Sequence, residues 1–503
     1  MDAALLTDRE LLWTDNAVHA ERVHKSARAL ARIVASLTGG EPADAAASEF
    51  IALFNRAAAA PADVFSELWS EPFAYYWART AWELSAALRG EGERPAFVDR
   101  YVESTGAADL GDAFARHLDL FKLFAAGLAV RSGEAVEFHR PLPIAMPFAL
   151  VGTRLSFSGG GELALCGAGP ETLLVEHDGQ RLAVPVDPDA AWTHPGVRRH
   201  VCPEVSLGAS AMRMQPHAMK LPDLVSMRQD PLPTPGLQEE MQPHLADAVA
   251  AIQRYLPDAA DQLRYGGRLA VVKQRSETGP TNASFSRLPG AVLFSARREP
   301  LVLADDLLHE VHHNRLYALE EGRPFFDNRR VNATTDARFY SPWRADPRPL
   351  YGIFHAVYVF TRVKAFWLGA YRSGDLNGDR LAYATDRLVR FREQLSTGVG
   401  VLRDSADFTP FGQRLFDAVS AEVERLIAEA QSAGLPDDAP AMVCLENGRL
   451  VPELGLDTGA PITVTEAIDE HRRYAEPALQ AANGAASAPP AGRATVSAEP
   501  ASV

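Results

Sequence analysis

Between Leu307 and Leu316 the chain reads LLHEVHHNRL, an HExxH motif made by His309, Glu310 and His313. Residues four apart share a face of an α-helix, so the two imidazoles can converge on one divalent metal ion. That requirement constrains the local fold. The segment must be helical, with Leu307, Leu308 and Val311 anchored in a core and His309, His313, Leu316 and Glu320 on another stripe. His312 complicates the pattern, because it too neighbours His309 on a helix.

The rest of the chain is rich enough in apolar residues to bury such a helix. At 503 residues, 47% hydrophobic and 23% charged, it has the balance of a globular protein with roughly two to four domains. The formal net charge of -15 repels phosphate backbones and argues against a nucleic-acid partner. The basic pairs Arg297-Arg298 and Arg329-Arg330 read as solvated surface. The start, MDAALLTDRELLWTD, lacks a secretory pattern, and no segment approaches the roughly 20 apolar residues of a membrane span. A cytoplasmic protein without membrane contact is expected. Cys166, Cys202 and Cys444 are few, distant and odd in number, which fits buried thiols rather than disulfides or a Cys-based zinc site.

Periodicity divides the chain. Residues 1–132 read as a helical region, with apolar spacing of three and four around Ala27 to Leu37, Glu49 to Ala59, Val64 to Leu88 and Leu110 to Val130. The aromatic stripe Phe73, Tyr75, Tyr76, Trp77 and Trp82 reads as packing. Residues 133–215 switch to short apolar runs cut by Gly and Pro, a β-rich segment in which Asp178-Gly179 turns a hairpin between Leu173-Val175 and Leu182-Val184. Residues 216–435 form the expected catalytic region. It opens with the proline-rich DPLPTPG, continues through a helix over Leu237 to Leu256 and strands at Arg268 to Lys273 and Gly290 to Ser295, and then reaches the motif helix. That helix should run to about Glu321, stopped by Gly322 and Pro324, before a polar loop over Asn328 to Asp336. YSPWRADPRPL then predicts an irregular rigid segment, and Leu350 to Tyr371 a buried helix. Residues 436–480 are a C-terminal extension, and 481–503 an Ala-, Ser- and Pro-rich disordered tail.

The third group beside the two histidines decides the chemistry. A metzincin would carry Gly and His where this chain has Leu316 and Leu319, which excludes that class. A thermolysin-like zinc peptidase would need a later glutamate, for which Glu393, Glu422 and Glu424 are available, with Glu310 as general base. A better partner is His355, an imidazole inside an apolar helix, where it would be costly without a bonding partner. Gly352, one turn earlier, leaves room beside it.

Three blocks in order, SFSRLPGAVLFS, LLHEVHHNRL and YSPWRADPRPLYGIFHAVYVFTRV, resemble the HExxH-type peptide β-hydroxylases, iron and 2-oxoglutarate dependent enzymes associated with ribosomally made, modified peptides. The likeness spans Ala283 to Val363. It implies an iron(II), 2-oxoglutarate and O2 dependent hydroxylase acting on the β-carbon of a peptide residue, a precursor peptide being the natural partner. A metal held on one face by His309, His313 and His355 would leave positions for a bidentate 2-oxo acid and dioxygen. The distal carboxylate needs a fork of donors, and Arg348, set between Pro347 and Pro349, is the first choice, with Arg344 second. In that reading Glu310 supports the site from beside the ligands. Asn282, Ser284, Ser286 and Tyr340 are expected along a substrate channel. The strand near Ser284 or Val292 offers an edge for peptide pairing.

The expected fold is therefore α+β and predominantly helical, not a jelly roll. The competing expectation is a zinc metallopeptidase, and a third is a peptide-binding module with a structural metal.

Overall fold

The computed structural model describes residues 12 and 15–486, apart from 39–44, 93, 145–147, 209, 216–235, 275–281, 322, 328–337 and 445–448. Gly322, the loop from Asn328 to Asp336 with Arg329-Arg330, and the DPLPTPG passage as far as Pro235 lie outside the described residues. The architecture is α+β and mainly helical, with small sheets and no barrel.

The first part is a helical layer: α1 (Asp15–Thr38), α2 (Ala45–Ala58), α3 (Ala62–Trp69), α4 (Pro72–Leu88), α5 (Ala96–Thr105), α6 (Leu110–Asp119) and α7 (Phe121–Ser132). Local chemistry marks the ends. Pro72 occupies the first turn of α4, the Asp109 side chain caps α6 by accepting from the Asp112 amide, and Gly133 ends α7 in the left-handed region. The aromatic stripe is packing, as its spacing predicts. Trp77 is buried among Phe50, Phe121 and Phe124 and stacks on His117 at 5.5 Å.

Strands follow, in two antiparallel sheets. One has the order β1 (Val136–Ile144), β4 (Leu163–Ala168), β5 (Thr172–His177), β6 (Gln180–Pro185); the other joins β2 (Phe148–Ala149), β3 (Leu155–Gly159) and β7 (Val197–Val201). The β5–β6 hairpin turns at Asp178 and Gly179, both with positive φ, the two-residue turn that matches strand twist.

A five-stranded sheet then joins the halves of the chain. β8 (Glu204–Ser206) pairs antiparallel with β9 (Ala211–Gln215), β9 runs parallel to β10 (Leu269–Lys273) and β10 parallel to β12 (Ala291–Ser295), and β11 (Ala283–Ser284) closes the far edge. The sheet thus crosses residue 216, where composition suggests a boundary. Strand alternation explains its place: Leu269, Val271, Ala291 and Leu293 face the core of the first part, while Ala270, Val272, Val292 and Phe294 face the second core. Both faces are buried, so these strands read as continuous apolar runs.

The second core is helical: α8 (Leu237–Tyr255), α9 (Ala260–Gly266), α10 (Pro300–Glu320), α11 (Leu350–Arg372), α12 (Gly378–Ser405) and α13 (Pro410–Ser432). Glycines permit the close crossings; a Cβ at Gly266 would meet the Val311 side chain at 2.7 Å, so α9 lies against the motif helix α10. The Tyr340–Leu350 segment is not irregular. It is a hairpin of β13 (Phe339–Ser341) and β14 (Arg344–Arg348), with Phe339 opposite Arg348. Pro347 is tolerated because the ladder has two strands, and an edge strand need not donate outward. Beyond it, β15 (Met442–Cys444) and β16 (Leu450–Pro452) precede α14 (Val464–Ala486), which carries helix through residues 481–486, where a tail is expected from composition. No helix among the described residues is long and apolar enough to cross a membrane. Cys166 and Cys202 are buried free thiols, and Cys444 is half-buried.

Candidate metal centre

Helix α10 starts at Pro300, pre-set for a first helical turn, and buries Leu303, Ala304, Leu307, Leu308, Val311 and Leu316 completely. Its remaining stripe, from Val302 through Asp305, Asp306, His309 and Glu310 to His313, lines a cavity of about 350 Å³. The other polar residues of the motif fasten the helix. His312 places Nε2 2.8 Å from the Gln262 side chain and Nδ1 2.6 Å from the Leu308 carbonyl. Asn314 donates to the carbonyls of Gly266 and Ala291, and Arg315 to the Tyr358 hydroxyl. The rival histidine is thus held on the α9 side, away from the cavity wall.

His309 and His313 bring their Nε2 atoms to 3.1 Å. Neighbouring ligand atoms around a metal with bonds of about 2.0–2.1 Å stand about 3.0–3.4 Å apart, so this spacing fits two ligands of one ion. Burial keeps both rings neutral, the ligating form: His309 is pushed down to about 4, and His313 well below the ordinary value, helped by the adjacent imidazoles. His355, pushed by burial to about 3, lies against the other edge of His313, with the two Nδ1 atoms 3.2 Å apart. The three histidines therefore form a row, not a ring about one point. Among the described residues no group of three His, Cys, Asp or Glu side chains is arranged to hold a metal ion. What the geometry offers is a two-imidazole half-site facing the cavity, with His355 behind it.

Unsatisfied buried atoms cluster here. Glu310 Oε2 and Trp343 Nε1, both on residues of the wall, and His355 Nε2 lack hydrogen-bond partners. Orphaned buried groups are costly and mark where a ligand, water or ion would bond. Burial raises Glu310 to about 8, eased by the Ser284 hydroxyl and increased by Asp306, and burial raises Asp306 to about 7 against its Arg297 partner at 3.0 Å. Asp305 accepts from Trp367 Nε1 at 2.7 Å and from Arg387 at 2.6 Å.

The hairpin forms another wall. Arg344 and Arg348 both approach Asp346, at 2.8 and 2.9 Å, so two guanidiniums share one carboxylate at the cavity. The Arg348 side chain is 14% exposed and Arg344 51%, so Arg348 is the better shielded donor. Its own pKa is lowered by burial and by Arg344. Between histidines and hairpin, Phe360 packs against His309 at 4.8 Å and is stacked by Trp343 at 5.3 Å. Gly398 admits that indole, because a Cβ there would lie 2.8 Å from its ring.

Neither a protein-family model nor a curated protein matches the chain. The site must therefore be read from its own geometry.

Several sequence expectations separate at this point. His309, Glu310, His313, Arg344 and Arg348 share one cavity, and Asn282 lines it too. Ser284 is buried beside Glu310, whereas Ser286 is not in the cavity wall and Tyr340 bonds to His471 instead. Val292 offers no free edge, since β12 is paired on both sides and the edge residue Ser284 is buried. Glu393, Glu422 and Glu424 pair with Arg392, Arg425 and Arg403 outside the cavity. Arg297 is no surface residue; it is drawn in by Asp306. Asp305 and Asp306 were legible as a backward extension of the motif by one helical turn. Arg387 and Trp343 carried no such signal, being joined to the site only through tertiary packing.

Proposed function

We propose that this protein is an iron(II) and 2-oxoglutarate dependent hydroxylase acting on a peptide. The observation that carries the reading is the neutral His309–His313 pair opening into a cavity that Arg344 and Arg348 also line, the two guanidiniums sharing the single carboxylate Asp346. A dianionic cosubstrate suits both sets of groups: its 2-oxo acid end would take some of the positions that two imidazoles leave open, and its distal carboxylate would take the guanidinium fork. Iron(II), when bound, supplies the activation of dioxygen that couples oxidation of 2-oxoglutarate to succinate and carbon dioxide with insertion of one oxygen atom into a substrate C–H bond.

The chain's own residues have separable tasks. His309 and His313 present Nε2 lone pairs, which requires the His313 proton on Nδ1, where His355 can accept it. Glu310, buried beside the ligands and lining the same cavity, has a carboxyl oxygen without a partner and supports the site from next to the histidines. Phe360 packs against the His309 ring and is itself held by the stacked Trp343, which keeps that imidazole in place. Peptide as substrate and modification of its β-carbon rest on the three-block resemblance between Ala283 and Val363.

One observation favours a zinc peptidase, the unpartnered Glu310 Oε2 in the position of a general base. Against it, the glutamates able to complete such a site are engaged elsewhere. Reconstitution without oxygen, followed by addition of iron(II), 2-oxoglutarate, a candidate precursor peptide and air, separates the two. Succinate together with a peptide heavier by one oxygen is the expected result. Peptide cleavage by the zinc-loaded protein without 2-oxoglutarate or oxygen overturns the hydroxylase.

A further inference from the structure

The hairpin that carries Arg344 and Arg348 is an isolated two-stranded ladder, and such ladders are marginal without support. Its turn is held from one side: Gln394 on α12 donates to the Pro342 carbonyl at 2.9 Å, and Trp343 stacks on Phe360. The open end is held by a different element. Helix α14, from the C-terminal part of the chain that the cavity does not use, lies along both strands.

Its contacts fall around one register position. The Asn483 side chain bonds the Arg338 backbone twice, accepting from its N–H at 3.0 Å and donating to its carbonyl at 3.1 Å. The Tyr340 hydroxyl meets His471 Nδ1 at 3.0 Å, and the Arg472 guanidinium lies 5.5 Å over the Tyr340 ring. Residues 338 and 340 flank Phe339, and Phe339 is the ladder partner of Arg348. A displacement of β13 at these two points is passed across the ladder to the strand bearing Arg348.

We infer that α14 is a clamp on this hairpin, with Asn483, His471 and Tyr340 as positioning residues that set the place of the Arg348 guanidinium and so the anion affinity of the cavity. The identity of the anion rests on the hydroxylase reading; the clamp does not. Binding groups must be held to a fraction of an ångström to act at full strength, and a two-stranded ladder cannot do this alone.

The test uses the full chain carrying Tyr340→Phe with Asn483→Ala. Amide hydrogen exchange across residues 338–348 is expected to quicken, with exchange in α10 and α11 unchanged. The 2-oxoglutarate dissociation constant of the iron-loaded protein should rise roughly three- to thirty-fold, a fraction of the loss of three modest hydrogen bonds being passed to Arg348, with iron affinity unaltered. Asn483→Asp, which keeps the acceptor for the Arg338 N–H, should recover part of both effects. Unchanged exchange in the hairpin overturns the clamp whatever binds in the cavity. Faster exchange with unchanged 2-oxoglutarate affinity overturns its role in placing Arg348. Wild-type protein that binds no 2-oxoglutarate sinks the hydroxylase reading instead, and the exchange experiment still decides the clamp.

Discussion

Replacing His355 separates a ligand from a supporting partner. For His313 to offer Nε2 to a metal, its proton must sit on Nδ1, and the nearest acceptor is His355 Nδ1 at 3.2 Å. His355→Ala leaves that N–H buried without a partner, a penalty of about 1–3 kcal/mol on the metal-binding tautomer. One such orphan corresponds to a metal affinity weaker by roughly 5- to 150-fold, in line with the 10- to 100-fold typical of lost outer partners. His355→Gln, whose side-chain oxygen can accept the same proton, should recover most of it. The assay is anaerobic titration with iron(II), or with cobalt(II) as a spectroscopic substitute, with circular dichroism to confirm folding. Loss of all binding in both variants would make His355 a direct ligand, as the sequence pattern suggests, and refute the row arrangement. Unchanged affinity in both would remove it from the site altogether.

Arg348→Ala should weaken 2-oxoglutarate binding about 10- to 100-fold with iron retained, the scale of a charge-assisted pair, and the more exposed Arg344→Ala should do less; calorimetric titration of both variants reads the order, and the reverse order would move the anchor to Arg344. His117 is buried between the Tyr101 hydroxyl and the Trp77 carbonyl and is pushed down to about 4 by burial. The unfolded chain takes up this proton first, so the stability it supports is complete above about pH 6.5 and falls by about 3 kcal/mol as pH drops towards 4. Urea unfolding at pH 7 and 4.5 should show a smaller pH dependence in His117→Gln, and an equal dependence would remove His117 as a cause. Gly398→Ala places a methyl 2.7 Å from Val357 and 2.8 Å from Trp343, which should cost about 1–3 kcal/mol by overpacking and lower the melting temperature. Full stability there would mean that α12 and the hairpin part readily.

The amino-acid sequence by itself determined the main helices, the Asp178-Gly179 hairpin and the central pair of the site, but not the arginine-bearing hairpin or the reach of the last helix. Helical spacing of Leu303, Leu307 and Val311 buries one side of α10 and leaves His309 and His313 together on another, because 3.6 residues per turn leaves little choice. Asp178-Gly179 likewise dictates its own hairpin, since the turn needs positive φ at both positions. Such features depend on residues close in the chain. The role of His355 does not: it is buried in α11 as its apolar surroundings require, yet only the packing of α10 on α11 decides that it meets Nδ1 of His313 and not a point shared with His309. The same holds for Arg387 on Asp305, Trp343 on Phe360 and α14 on the arginine hairpin, which are contacts between distant segments. No periodicity records them, because the side chains that meet are chosen by how helices and strands stack around two shared cores. Local pattern placed a histidine pair on a helix; tertiary packing decided which side chains share its cavity.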